Sequence, residues 1–239
     1  MKIALLGYGK MGKAIETIAL KSGHEIVLKI SVENKDELTI EQLQKADVAI
    51  EFSTPESAAF HLMKCFDAGI PVVCGSTGWL TQMDKISAYC KEKNGALLYA
   101  SNFSIGVNIF FEINRQLATL MDKRHEYDVS IDETHHTEKK DAPSGTAISL
   151  ANGIIENQSV KRKWVSGKSS AIENLGITSN RIDPAPGTHI VKYDSSIDCI
   201  EIKHTAHNRE GFASGALLAA EFIKGKNGIF QFSDVLKSK

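Results

Sequence analysis

The chain has 239 residues, 42% hydrophobic and 24% charged, with 28 Lys plus Arg against 29 Asp plus Glu and only 5 prolines. That length can bury one large core or two small ones, and the composition excludes a fibre, a mucin, a disulfide miniprotein and a disordered tail. A formal charge of −1 gives no global pull toward nucleic acid or an anionic membrane, so any anion must be gripped locally.

The first residues, MKIALLGYGKMG, carry an apolar run too short for a secretory core or a membrane span, which predicts a cytoplasmic protein. The four cysteines, Cys65, Cys74, Cys90 and Cys199, lack CxxC spacing and are expected to be reduced and mostly buried. Lys2 to Leu6 reads as a strand, followed by three glycines and a helix to about Ser22. Further strands are expected at Glu25–Ile30, Asp47–Phe52, Pro71–Gly75 and Ala96–Ala100. A helix from Pro55 to Ala68 is capped by Ser53 or Thr54. Short β-rich runs alternating with helices predict an α/β fold with a parallel sheet covered on both faces.

Beyond Asn102 the pattern becomes α+β. A helix is expected from about Val107 to Met121, then an alternating strand from Tyr127 into HHTEKK, a turn, and a helix from about Thr146. Strands at His189–Ser195 and Ile200–Ala206 follow. The basic run Lys161–Ser170, ahead of these two strands, reads as a solvated loop or helix end. A last helix, about Phe212 to Ile223, carries small residues suited to close packing against another element, plausibly the first domain.

GYGKMG fits GxGxxG and stands between a strand and a helix, the context in which that pattern binds a dinucleotide. Gly7 allows the tight turn, Gly9 lets backbone approach a pyrophosphate, Gly12 lets helix pack on strand, and the helix start offers N–H groups to the anion. A glycine turn without ligand is the blander alternative. The acid usually found about 20 positions on has no clean counterpart: the second strand ends at Ser31, with Glu33 and Asp36 beyond, so NAD and NADP stay open. Cys74–Gly78 (CGSTG) ends the fourth strand where α/β ligands bind; a plain strand-to-helix turn is the alternative.

The segment His135–Ala147 is the most informative. His135 and Lys139 can face the same way in a strand or a helix, and both side chains can donate a proton near neutral pH. Asp141-Ala142-Pro143-Ser144-Gly145-Thr146 reads as a turn opening a helix, with hydroxyls and N–H groups suited to a carboxylate or phosphate. A polar surface and an ordinary helix cap are the alternatives. A metal reading through His135, His136 and Glu138, or through His204 and His207, lacks the usual spacing, and no metal is expected. His204 and Arg209 are candidates for a nearby cation.

In this order, GYGKMG, EFSTPE (51–56), CGSTGW (74–79), ASNFSIGVN (100–108), ETHHTEKKDAPSGTA (133–147) and HTAHNREGFASGA (204–216) resemble the 4-hydroxy-tetrahydrodipicolinate reductase family, also called dihydrodipicolinate reductase, along the whole chain. The resemblance implies a Rossmann-type dinucleotide-binding domain, 1–103 with 210–239, and an α+β substrate and oligomerisation domain with a mixed sheet, 104–209. It implies an NADH- or NADPH-dependent oxidoreductase of lysine and diaminopimelate biosynthesis, a homotetramer acting on a small dicarboxylate, with no nucleic-acid or membrane partner. His135 would be the acid/base residue and Lys139 the proton donor. His136 and Lys139 with Ser144, Gly145 and Thr146 would hold the substrate. Gly7, Tyr8, Gly9, Lys10, Met11, Gly12, Ser31, Phe52, Gly75, Ser76, Thr77, Ala100, Ser101, Asn102 and Phe103 would line the cofactor. Ser31 and Ser76 depart from the family pattern, which bears on cofactor preference. Another nicotinamide oxidoreductase of small amino or keto acids, and a silent dinucleotide sensor, are the competing expectations.

Overall fold

The computed structural model describes residues 1–208 and 210–238. The chain divides into one unit of Met1–Ile105 with Glu210–Lys239 and a second of Gly106–Arg209.

In the first unit the strands β1 (Lys2–Leu6), β2 (Glu25–Ile30), β3 (Val48–Glu51), β4 (Val72–Cys74), β5 (Ala96–Tyr99) and β11 (Gly228–Gln231) form one sheet in the order β11-β5-β4-β3-β1-β2, with every pairing parallel. β3 and β4 are buried throughout, and β1 from Ile3 to Leu6, as strands covered on both faces must be. One face packs against α2 (Ile40–Leu43), α3 (Pro55–Asp67) and α4 (Met83–Glu92) through Leu43, Leu62, Phe66 and Ile86. The other carries α1 (Lys10–Lys21), α7 (Glu210–Ile223) and α8 (Phe232–Lys237) through Ile15, Ala216, Ile223 and Phe232. Thr54 is the N-cap of α3, although its side chain makes no capping bond, and Pro55 occupies the first turn. The return of the chain through α7 adds β11, an edge strand the sequence pattern did not suggest.

In the second unit β6 (Asp128–His135), β7 (Lys163–Ser166), β8 (Asn174–Arg181), β9 (Thr188–Asp194) and β10 (Cys199–Thr205) form a mixed sheet ordered β10-β9-β6-β8-β7. β6 runs parallel to β8 and antiparallel to β9. The basic run expected to be a loop instead holds β7, an edge strand on β8, because Trp164 packs against the core while Lys163 and Lys168 stay in water; Lys161 is buried and donates to Asp128 and to the Asn174 carbonyl. β8 was likewise not expected: only Leu175 and Ile177 of its eight residues are fully apolar and buried. α5 (Ile105–Met121) and α6 (Gly145–Ile155) contribute Phe110, Ala118, Leu150 and Ile154 to this core. Ser144 caps α6, its hydroxyl accepting from the Ala147 N–H at 3.2 Å. β6 alternates strictly, with Val129, Ile131, Glu133 and His135 on the buried face, so the apolar stripe of the core runs into two ionisable groups.

Cys65, Cys74 and Cys90 are buried and Cys199 is exposed, all as free thiols. No helix among the described residues is long and apolar enough to cross a membrane.

The small-residue face of α7 is a steric requirement. A Cβ on Gly215 would lie 1.7 Å from the carbonyl oxygen of Phe103, whereas one on Gly9 would meet nothing within 4 Å. Gly215→Ala is expected to cost at least ~2 kcal/mol and Gly9→Ala less than ~0.5 kcal/mol, read from urea midpoints followed by circular dichroism.

Candidate active site

In the first unit the chain runs from β1 to β2 on one side, then returns past β1 to β3 on the other. The crevice at the carboxyl ends of strands flanking such a reversal is where open α/β sheets bind ligands. The loops after β1 and β3 meet there. Gly7, at φ +98°, donates through its N–H to the Ile30 carbonyl at 2.9 Å, and a Cβ on it would lie 2.1 Å from the Phe52 carbonyl. Gly12 brings the start of α1 onto the turn, because its Cβ would lie 2.5 Å from the Gly7 carbonyl. Gly9 is the N-cap, exposed and without a side chain to cap the helix, so the first N–H groups of α1, at Lys10 and Met11, lie beside open space. These features fit the pyrophosphate of NADH or NADPH.

The other expected cofactor residues also follow strand ends. Tyr8 packs on the core and its hydroxyl donates to Glu16, which also pairs with Lys29 at 3.3 Å. Ser31 ends β2, its N–H and hydroxyl donating to Asn34 Oδ1 at 2.8 and 3.0 Å. Gly75 is required by the Phe52 ring, whose Cζ would lie 2.2 Å from a Cβ there. Thr77 and Ser101 are exposed, and Ala100 and Asn102 half-buried. Phe103 belongs to the core, its ring 5.6 Å from Phe52 and 5.5 Å from Phe232.

A buried carboxylate holds this edge together. Glu51, at the end of β3, accepts from the Ser53 N–H at 2.9 Å, from the Ser53 hydroxyl and from Cys74 Sγ at 3.1 Å, with His61 Nδ1 at 3.4 Å. Burial pushes its carboxyl up, but the contacts from His61, Ser53, Cys74 and Ser76 outweigh it and keep the group below its ordinary range. The Ser53 N–H also donates to Ser76 Oγ at 2.9 Å, and Trp79 Nε1 donates to the Ser76 carbonyl at 2.8 Å. The loops after β3 and β4 are therefore fixed through Glu51 and Ser76. Glu51 and Trp79 were not among the expected site residues, although both lie inside the quoted motifs.

In the second unit the end of the β6 core stripe forms the other site. The side chain of Glu133 is fully buried, and both its oxygens lie 3.1 Å from the Ser144 N–H. Arg181 Nη2 donates to Oε1 at 3.3 Å and to the Asp141 carbonyl at 2.6 Å. His135 Nδ1 lies 3.5 Å and His189 Nε2 3.7 Å from Oε2, and the two rings stand edge to face at 5.0 Å. The Ser144 hydroxyl lies 3.1 Å from His189 Nε2. Register explains the meeting: Glu133 pairs with His189 on β9 and with Ser179 on β8, and His135 pairs with Arg181. Burial raises the Glu133 carboxyl, but Ser144, Ser179 and the adjacent imidazole hold it below its ordinary range. Burial lowers His135, against the pull of Glu133, with Lys139 and Arg181 lowering it further. His189 is pushed down to about 4, by burial and then by His135.

Of the expected substrate residues, His135, Ser144 and Lys139 converge on this end of the sheet. Lys139 Nζ donates to both oxygens of Asp141 at 2.8 and 2.9 Å, and its carbonyl accepts from Arg181 Nε at 3.3 Å. Gly145 is exposed and Thr146 half-buried at the start of α6. The Ser144 N–H and hydroxyl are both engaged inside the protein. His136 follows the last residue of β6 and lines an open pocket with Thr137, Glu138 and Asp183, apart from the His135 cluster. At His204, burial and then His207 push the pKa below its ordinary value, which disfavours the cation expected there. Arg209 lies outside the described residues. Arg181 is the cation supplied, and Glu133, Arg181 and His189 were missed by the sequence reading. Glu133, His135 and His189 also place three donor atoms within 4.8 Å of one another. The carboxylate is already compensated by Arg181 and the Ser144 N–H, and we assign no metal to it.

Because His189 is held near 4 against about 6.5 in an unfolded chain, the unfolded state binds a proton below pH ~6.5 that the folded state refuses until pH is near 4. Stability is full above that window and lost as pH falls through it. The loss from this group is expected to reach at most ~3 kcal/mol. His189→Gln should flatten the fall of the urea midpoint between those pH values.

Residues 1–103 match the family model for the N-terminus of dihydrodipicolinate reductase, and residues 106–236 the model for its C-terminus. The 4-hydroxy-tetrahydrodipicolinate reductase of Christiangramia forsetii is 49% identical over 238 residues, 99% of this chain and 98% of that one. The reductase of the same name from Clostridium novyi is 36% identical over 253 residues, 100% and 99% of the two chains. A solved dihydrodipicolinate reductase from Paenisporosarcina sp. TG-14, with dipicolinate bound, superposes with a TM-score of 0.76 at 22% identity over 97% of both chains, a likeness of fold. With the dinucleotide crevice and the histidine cluster in place, these matches put the chain in the 4-hydroxy-tetrahydrodipicolinate reductase family, the NAD(P)H-dependent oxidoreductases of the diaminopimelate route to lysine.

Proposed function

We propose that this chain reduces 4-hydroxy-tetrahydrodipicolinate to tetrahydrodipicolinate, with the first unit binding the dinucleotide and the second holding the substrate. The observation that carries the reading is the buried His135 placed against Glu133 beside the Lys139–Asp141–Arg181 turn. Bound NADH or NADPH supplies the hydride.

Departure of the 4-hydroxyl as water puts a proton on that oxygen and takes one from the neighbouring ring carbon, and reduction of the resulting conjugated imine by hydride takes up one further proton from the protein. His135, an imidazole that burial holds below its ordinary range against the pull of Glu133, is assigned the acid/base role. Lys139, tethered by Asp141, is assigned as donor. The substrate's two carboxylates need cations and N–H groups. Lys139 and the start of α6 at Gly145 and Thr146 answer that need, while Ser144 contributes by holding the turn through its bonds to Glu133 and Ala147. His136 is kept among the substrate contacts on the family pattern. In the first unit, Gly7 to Gly12, Ser31, Phe52, Gly75 to Thr77 and Ala100 to Asn102 are assigned to the dinucleotide, with Phe103 acting from the core. We further assign a cytoplasmic homotetramer built on the mixed sheet, in keeping with four free thiols.

The test is a coupled assay that generates the substrate in place from pyruvate and aspartate semialdehyde and follows cofactor absorbance with NADH and NADPH separately. Consumption is expected with at least one cofactor. His135→Ala and Lys139→Ala should each lower kcat by ~10²-fold or more while cofactor Kd changes by no more than about twofold. Cofactor that binds without being consumed would mark a sensor, and turnover only on an unrelated keto acid would mark another oxidoreductase.

A further inference from the structure

We propose that Glu133 is the positioning residue of the His135 site, holding the His135 imidazole with its proton on Nδ1 and tying that ring to the turn that opens α6. The proposal rests on the reading of His135 as the residue that exchanges a proton with substrate.

The argument begins with the alternation of β6. Residues two apart share a face, so Glu133 and His135 project side by side at the end of the core stripe. His135 Nδ1 is buried and has no hydrogen-bond partner among the described residues, and the Glu133 carboxylate lies 3.5 Å from it. A carboxylate beside one imidazole nitrogen favours the tautomer protonated there, and it stabilises the imidazolium when the other nitrogen takes up a proton. Nε2 is thereby left as the exchanging atom. It lies beside Gly187, where an added Cβ would stand 3.1 Å away, so glycine leaves the ring its room.

The second half of the argument concerns what Glu133 itself is tied to. Both its oxygens lie 3.1 Å from the Ser144 N–H, and Arg181 links Oε1 to the Asp141 carbonyl. One carboxylate therefore sets the direction of the imidazole and the position of the Asp141–Thr146 turn together. The groups facing His135 are Glu133 from its own strand, Lys139 and Asp141 from the turn, Arg181 from β8 and His189 from β9. Lys139 and Arg181 together outweigh Asp141 once Glu133 loses its charge. Among the described residues, Asp141 is then the carboxylate left facing the ring, and the two cations oppose it.

Two measurements test this. In the unsubstituted protein, ¹⁵N NMR of the histidine rings, with His135 assigned by loss of its signals in His135→Gln, should show the Nδ1–H tautomer above its pKa. The Nε2–H tautomer would overturn the proposal, and this readout holds even where substituted chains fold poorly. In Glu133→Gln, kcat should fall on the order of tenfold to a hundredfold, cofactor Kd should stay within about twofold, and the acid limb of the pH profile should move down by about one unit. Glu133→Asp should return part of the limb toward its original position. A Glu133→Gln protein that is less stable yet keeps the pH limb in place would make the residue purely structural and sink the idea. Should the natural chain consume neither cofactor, the functional reading fails, and the tautomer still decides whether Glu133 orients the ring.

Discussion

Burying a carboxylate without compensation costs several kcal/mol, and the second unit is arranged around meeting that cost at Glu133. The compensation comes from three directions: the Ser144 N–H at the mouth of α6, Arg181 at the end of β8, and the imidazole edges of His135 and His189. Each partner is thereby fixed. The turn before α6 cannot drift without stranding the charge, and Arg181 cannot leave without freeing the Asp141 carbonyl as well. The same low-dielectric setting that makes the carboxylate expensive also disfavours the charged form of both histidines.

The first unit solves a parallel problem in a parallel way. Glu51 is buried at the carboxyl end of β3, and its compensation comes from Ser53 on the next loop, Cys74 at the end of β4 and His61 on α3. The result is rigid backbone at the edge of the sheet where Phe52, Gly75 and Ser76 are assigned to the dinucleotide. In both units an acid sits at or near the carboxyl end of a core strand, and the acid's need for partners gathers loops that are remote in sequence. Glu133 and His189 stand 56 positions apart in the chain yet opposite one another in the β6·β9 register.

That distance explains which parts could be read from the sequence. β1 to β5 and their helices were legible because apolar runs, glycine turns and Pro55 are local signals. β7, β8 and β11 were not. KWVS is a basic edge strand, NLGITSNR mixes two core residues with six others, and GIFQ is short and half solvated. The same holds for the site. His135, Lys139 and the Ser144 cap are close in sequence, and the structure brings them to one end of the sheet. Glu133 is visible through the period of two that links it to Val129 and Ile131. That period also separates the pair, since it turns His135 into the core and leaves His136 to line a different pocket. Arg181 and His189 depend on strand register, which no local pattern encodes.

Cofactor choice rests on a similar balance of charges at the other end of the chain. An acid at the end of the second strand selects NAD by bonding the ribose hydroxyls and repelling a 2′-phosphate. Ser31 occupies that place, with its hydroxyl and N–H both committed to Asn34 and its oxygen accepting from the Glu33 N–H at 3.2 Å. A serine so engaged neither repels a phosphate nor offers a charge to a ribose. Asn34 in turn donates to the Lys29 carbonyl and to the Glu37 carboxylate, so one amide ties Ser31 to the loop beyond it. Lys29 is drawn off, paired with Glu16 and lying over the Tyr8 ring. Ser31 itself therefore gives the strand end no charge with which to discriminate by repulsion, which accords with a family that uses NADH or NADPH.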